Sequence, residues 1–312
     1  MPKVDRTNPK RSTASESRYT LMDFMREFPD DEACLDWLWR NRYSADGETA
    51  TCPKCHRERP FKRYRTAQRR QSWTCTACGY HLHPTAGTIF EKSSTALHLW
   101  FYGIYLMTST RCGISAKQLE RELGVGYKTA WRMFHLVRAL LAEDVTDLNG
   151  VVEADETFVG GKPRFTTHGN QSLAIKRALA NKVRVHGIVE RGGRVRVSVN
   201  PPQSPLQIVR AHVLPSAMVY TDEATSYRDL GKHGYAHRRI HHSLKVYVDG
   251  DVHTNTMEGF WSLVKRGIGG VYHSVSAKYL QMYFDEYAYR YNHRHDTDDL
   301  YTQVIKRAAA RS

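Results

Sequence analysis

Two cysteine pairs, Cys52-Pro-Lys-Cys55 and Cys75-Thr-Ala-Cys78, stand nineteen residues apart, and no other feature restricts the local folding of this chain as much. Four thiolates delivered as two C-x2-C pairs close a tetrahedral zinc site, each pair on a tight knuckle. Cys52, Cys55, Cys75 and Cys78 are therefore the expected ligands of one zinc ion. It would be structural, because four sulfurs leave no position open to water; the alternative is two redox or disulfide couples. Gly79 follows the second pair, where a knuckle often needs positive φ. Between the pairs, Arg63, Tyr64, Arg65, Arg69, Arg70 and Trp73 suit a β-ribbon with a basic face toward DNA. Cys34 and Cys112 have no comparable partners and are expected as small buried hydrophobes.

The 312 residues carry a net charge of +14, which points to a polyanionic partner, by default nucleic acid; a basic surface kept for solubility is the plain alternative. No run of eighteen apolar residues is present, so no transmembrane span is expected. The opening residues lack the apolar core of a signal peptide and read as a disordered basic arm over 1–18. Six cysteines are too few for a disulfide scaffold, and a reducing cytoplasm is the expected compartment.

A helical segment over 19–50 precedes the ribbon, which spans 51–92. Amphipathic spacing marks helices over Thr20–Phe28 and Asp30–Arg42, and Thr95–Ser109 is apolar enough to be a buried helix. Two further helices meet at Gly124-Val-Gly126 within a helical region over 93–147, as in a helix-turn-helix. The same pattern occurs in folds that never touch DNA. Tyr127, Lys128, Thr129 and Arg132 begin the candidate reading helix, while Trp131, Phe134, Leu136 and Val137 face its own core.

From 148 to 312 the pattern changes. Val151–Val159 and Met218–Thr221 read as buried strands, Val183–Val199 as two strands around Gly192-Gly193, and Pro205–Val213 as a helix. Lys162–Lys182 reads as a mobile basic loop. Asp155 and Asp222 lie on or just after strands, and Glu258 opens a helical stretch. Two strand acids and one helix acid can converge on a pair of divalent cations, the arrangement that drives in-line attack at phosphorus. The element order is that of an RNase H-like core, a mixed sheet flanked by helices. Lys265 lies two turns past Glu258 on the same helix face, where it would meet DNA phosphate together with Arg266. Glu156 and Glu223 directly follow the strand acids and should point away from them. His237, His241, His242 and His253 surround the region, His242 and His253 as candidate contacts to DNA or to the acids.

At these positions the chain resembles the ISXO2-like DDE transposases of the IS1595 insertion-sequence family. The resemblance rests on Val152-Glu-Ala-Asp-Glu-Thr-Phe-Val-Gly-Gly-Lys162, on Val219-Tyr-Thr-Asp-Glu223, and above all on Val248-Asp-Gly-Asp-Val-His-Thr-Asn-Thr-Met-Glu-Gly-Phe-Trp-Ser-Leu-Val-Lys-Arg-Gly-Ile268. It continues into Tyr283–Arg294 and covers roughly residues 20 to 300. It implies a multidomain α+β and α/β protein: zinc ribbon, helix-turn-helix, then an RNase H-like DDE catalytic domain. It implies that Asp155, Asp222 and Glu258 bind two Mg²⁺ ions (Mn²⁺ possible), Asp155 bridging them, with Lys265 as the associated basic residue. Family members differ at the third position, and Asn255 lies one turn before Glu258; the carboxylate is preferred because it binds Mg²⁺ better than an amide. The implied activity is cleavage of 3′ ends and strand transfer on double-stranded DNA carrying terminal inverted repeats. A homodimer or higher oligomer on paired ends, associated with the nucleoid, would carry it out. A DNA-binding regulator with a decayed core and a simple metal-dependent nuclease are the rival readings.

Overall fold

The computed structural model describes residues 19–65, 71–110, 112–160, 182–222, 225–240 and 253–310. The expected arm over 1–18, Arg69, Arg70, most of the basic Lys162–Lys182 stretch, Glu223, His241 and His242 lie outside the described residues. The chain divides into two compact units, residues 1–140 with 295–312 and residues 141–294.

In the first unit, helices α1 (Leu21–Glu27) and α2 (Asp31–Arg42) start where the sequence supplies caps. Thr20 and Asp23 form a reciprocal capping box, and the Asp30 carboxylate accepts from Ala33 N–H. Strands β1 (Thr49–Cys52), β2 (Arg57–Arg65), β3 (Gln71–Cys75) and β4 (His81–Leu82) form an antiparallel sheet in sequence order. It packs on α2 through Leu35, Phe61 and the stacked indoles of Trp39 and Trp73, 4.8 Å apart. Helix α3 (Leu97–Ser109) has no local side-chain cap; the Asp31 carboxylate of α2 accepts from its His98 N–H at 2.7 Å. Helices α4 (Ala116–Leu123) and α5 (Tyr127–Ala139) follow, and left-handed Gly124, φ +63°, ends α4. Cys34 is buried as expected, but Cys112 is exposed: it sits in the turn between α3 and α4, outside the apolar stripe of either helix.

The second unit is a five-stranded sheet ordered β7-β6-β5-β8-β9. Its strands are β5 (Val151–Val159), β6 (Val183–Glu190), β7 (Val195–Val199), β8 (Met218–Thr221) and β9 (Ala236–Arg239). The first three are antiparallel; β8 and β9 run parallel to β5. Alternation along β5 sends Val152 and Ala154 to one face, where they meet Ile208 and Val209 of α6 (Pro205–His212), Tyr227 and Leu230. The other face packs under α7 (Asn255–Gly267) and α8 (Leu280–Asn292) through Val185, Val197, Phe260, Trp261 and Phe284. Helix α7 comes unusually close to β6. A Cβ on Gly187 would lie 2.5 Å from both Met257 Cε and Trp261 Cζ2, so only glycine permits this approach. Helix α8 covers the margin of the sheet: Asn292 bonds both backbone groups of Val195, and Gln281 bonds Val199 N–H and Val197 C=O. Edge-strand groups that would otherwise be open are thereby paired.

After α8 the chain returns to the first unit as α9 (Leu300–Ala309), capped by the Asp299 carboxylate on Thr302 N–H at 2.8 Å. The sequence reading assigned 148–312 to one catalytic unit; the segment from His295 instead belongs with residues 1–140. Its apolar side finds an aromatic cluster there, with Tyr301 stacked on Tyr19 at 4.6 Å and edge-on to Phe24 at 5.9 Å. Among the described residues no helix is long and apolar enough to cross a membrane.

Tyr301→Ala should destabilise the first unit by about 3–5 kcal/mol, the usual cost of emptying a buried aromatic site. Denaturant unfolding would measure this, with Trp39 and Trp73 as emitters. Gly187→Ala should cost the second unit roughly 1–3 kcal/mol by overpacking. Trp261 is the sole tryptophan between residues 141 and 294, so its fluorescence in a background lacking the others reports that loss. An unchanged midpoint would show that α7 can shift at no cost.

Candidate active site and four-cysteine cluster

The pairing register sets Ala154 beside Thr221. Asp155 lies one residue further along β5, and Asp222 directly follows the end of β8, so the register brings the two acids to the same end of this parallel strand pair. Asp155 is partly buried, and its Oδ2 accepts from the Trp261 indole N–H at 2.9 Å. Burial pushes its pKa up to about 6; the charges of Asp222 and Glu258 add to the rise, while the Trp261 and Glu156 N–H groups oppose it. Asp222 is partly buried just past the end of β8.

Glu258 is exposed in the first turn of α7, and the Thr254 hydroxyl donates to its Oε1 at 3.3 Å. Asn255 is the exposed first residue of that helix. Lys265 and Arg266 are exposed in its last turn, and Lys265 falls on the Glu258 side. Glu156 lies on the opposite face of β5 from Asp155 by alternation, as the sequence implies; burial raises its pKa, Arg184 lowers it and Asp222 raises it. His237 bonds the Thr221 hydroxyl through Nε2 at 3.0 Å, and burial lowers its pKa.

Glu153 escaped the sequence reading. It is fully buried on the same face of β5 as Asp155 and meets Arg191 Nε at 2.6 Å, the Thr256 hydroxyl at 2.8 Å and Met257 N–H at 3.0 Å. Arg191 also donates to the His253 carbonyl at 2.9 Å and contacts its Nδ1 at 2.8 Å. The available signal was an ionisable residue set between two apolar residues, Val152 and Ala154, near the start of the strand.

In the first unit the two cysteine pairs sit on matching knuckles. His56 N–H bonds Cys52 C=O at 2.8 Å, and Gly79 N–H bonds Cys75 C=O at 2.9 Å. The residue after each pair takes positive φ, +53° at His56 and +72° at Gly79. The four sulfurs lie within 4.8 Å of one another, with Cys52 and Cys78 at 3.6 Å. A tetrahedral zinc with Zn–S near 2.3 Å needs sulfurs about 3.8 Å apart, so the cluster can hold such an ion. Burial works against the Cys52 thiolate, but the N–H groups of Cys55 and Lys54 and the adjacent thiols bring its pKa below the usual value. The Cys55 thiol is pushed up, first by its bond to Cys78. Among the described residues this is the group of metal-ligating side chains that closes so tightly; Asp155, Asp222 and Glu258 stand further apart.

The expected basic ribbon face is partly occupied. Arg63 lies over Trp73 at 5.3 Å and pairs with Asp36 at 3.2 Å and Glu32 at 3.8 Å, which ties β2 to α2. Arg65 pairs with Glu32 at 3.1 Å but remains largely exposed. On α5, Tyr127, Lys128 and Arg132 are exposed, Thr129 is partly so, and Phe134 and Val137 are buried.

A family model described as the ISXO2-like transposase domain matches residues 147–292. An uncharacterized protein in transposable element ISH50 of Halobacterium salinarum is 30% identical over 227 residues, covering 69% of this chain and 76% of that protein. An uncharacterized transposase-like protein of Haemophilus influenzae is 30% identical over 87 residues, 28% of this chain and 69% of its own length. No solved structure matches the chain. The matched stretch contains both strand acids, the helix that carries Glu258 and the sheet between them, and the chain belongs to the ISXO2-like transposase family.

Proposed function

We propose that the chain is a DNA transposase that cleaves 3′ transposon ends and joins them to target DNA. Asp155, Asp222 and Glu258 hold two Mg²⁺ ions, for which Mn²⁺ can substitute. One observation carries this reading: one carboxylate on β5 and a second directly after the neighbouring parallel strand β8, with a third on the helix whose indole is bonded to the first. The sheet order, three antiparallel strands continued by two parallel ones, supports an RNase H-like core. The donor set fits a hard divalent cation, being all oxygen, and burial with the acidic neighbours raises the pKa of the Asp155 carboxyl to about 6. When bound, such cations activate an attacking water or 3′-hydroxyl and stabilise charge at phosphorus.

The side chains contribute orientation. The Trp261 indole donates to Asp155 Oδ2 and so orients the carboxylate that would hold a cation. Glu258 stays exposed toward incoming DNA, and Lys265 and Arg266, two turns further along α7, meet its phosphates. In the first unit, Cys52, Cys55, Cys75 and Cys78 form a zinc ribbon holding one structural ion. Helices α4 and α5 act as a helix-turn-helix that offers Tyr127, Lys128, Thr129 and Arg132 to the inverted repeats, with Arg65 of the ribbon beside the phosphates. Arg63 serves its own unit instead. The net charge of +14 supports double-stranded DNA as the partner, bound by a dimer or higher oligomer on paired ends in the cytoplasm, at the nucleoid.

Asp155→Asn, Asp222→Asn and Glu258→Gln should each bring cleavage and joining of labelled ends below detection in Mg²⁺ while sparing end binding. Wild-type joining by any one of them removes that residue from the triad, and an inactive Asn255→Ala beside an active Glu258→Gln would move the third position to Asn255. Cleavage without joining by the wild type would make the chain a nuclease. Cys75→Ser should release one zinc per chain, unfold the ribbon and weaken end binding, leaving Trp261 fluorescence native. Metal analysis that finds no zinc in a protein with an ordered ribbon would contradict this.

A further inference from the structure

We propose that Glu153 is a positioning residue for the carboxylate triad, with Arg191 as its counter-charge: it fixes the first turn of α7 and thereby the place of Glu258. This rests on the reading of Asp155, Asp222 and Glu258 as a metal site.

Helix α7 begins at Asn255, and the preceding Thr254 makes no side-chain cap. Thr254 and Met257 are buried, so water cannot readily satisfy the first N–H groups. Glu153 performs the task from another element: its Oε2 accepts from Met257 N–H and its Oε1 from the Thr256 hydroxyl. A carboxylate at the positive end of a helix is favourable, yet burying one is costly unless it is paired and fully bonded. Arg191 supplies the pairing. The same guanidinium holds the His253 carbonyl, so the chain entering α7 is clamped on both sides of Thr254.

An uncharged Ser at 254 would cap an ordinary helix at lower cost. The strand-borne carboxylate adds a fixed distance. Glu153 and Asp155 share one face of β5; the first is bonded to the opening turn of α7 and the second to Trp261 one turn later. Glu258 directly follows Met257. The separation between the first and third acids is thus set by two hydrogen bonds from one strand, on a helix resting against side-chain-free Gly187.

The test uses the full zinc-loaded chain as wild type, Glu153→Gln, Arg191→Lys and Asp155→Asn. Mn²⁺ binding is followed by electron paramagnetic resonance, and end cleavage is followed against Mg²⁺ concentration. Groups that orient metal ligands typically change affinity or activity by about 10–100-fold. Glu153→Gln should therefore raise the Mn²⁺ midpoint by about 10-fold or more and be partly rescued by added Mg²⁺, with end binding unchanged. Arg191→Lys should move the midpoint in the same direction by less. Wild-type Mn²⁺ and Mg²⁺ curves for Glu153→Gln, with only its melting temperature lowered, would reduce Glu153 to a structural cap and overturn the proposal. If Glu153→Gln does not fold, Thr256→Val, which removes one donor to Glu153, decides: a raised midpoint supports positioning and an unmoved one overturns it. If wild type and Asp155→Asn bind Mn²⁺ alike, the metal-site reading fails together with this proposal. If Asp155→Asn alone is weakened, only the proposal fails.

Discussion

The arrangement of the second unit depends on a helix lying directly on backbone. At Gly187 there is no side chain between β6 and α7, and Trp261 fills the space a methyl group would take. That contact brings the indole N–H within reach of Asp155 and carries the N-terminal turn of α7 over β5. Because β5 is the central strand, paired to β6 on one side and β8 on the other, the same strand serves three acids. It bears the first, neighbours the second through its register, and holds the helix of the third.

Both units bring ionisable groups of one kind close together. In the second unit, the pKa of Asp155 is raised by burial and by the charges of Asp222 and Glu258. In the first, four thiols crowd together with opposed shifts at Cys52 and Cys55. Such clusters favour cations, and the two differ in the kind of cation they suit. Sulfur at tetrahedral spacing selects a soft ion and closes around it; spread-out carboxylates suit a hard ion that keeps positions for water and substrate. Glu153 shows the opposite solution. It is more deeply buried than Asp155, and an arginine and a helix end meet its charge.

Much of this was legible in the chain. Strand β5 has the bounds that its apolar run implies, the Gly192-Gly193 turn joins β6 to β7, and Gly79 takes the positive φ that its place after a cysteine pair requires. These features are local, and local sequence encodes them. What escaped depends on partners distant in sequence. Arg63 looked like a phosphate contact because nothing near it in sequence shows that Asp36 and Glu32 meet it from helix α2. Cys112 looked like a core residue because sulfur usually is one. Glu153 was not singled out, since its role is defined by Arg191 and Met257. Nothing local in the last helix showed that it belongs with residues 1–140.

That last helix has a consequence for biosynthesis. Residues 141–294 are an insertion in the chain of the first unit, whose aromatic cluster is completed only when Tyr301 arrives. A ribosome that has finished the cysteine ribbon and both short helices has not yet made the residues that seal their unit. The first unit therefore reaches its final stability only after the second has been synthesised, and a prematurely terminated chain would not release a fully assembled N-terminal half to compete with the intact protein.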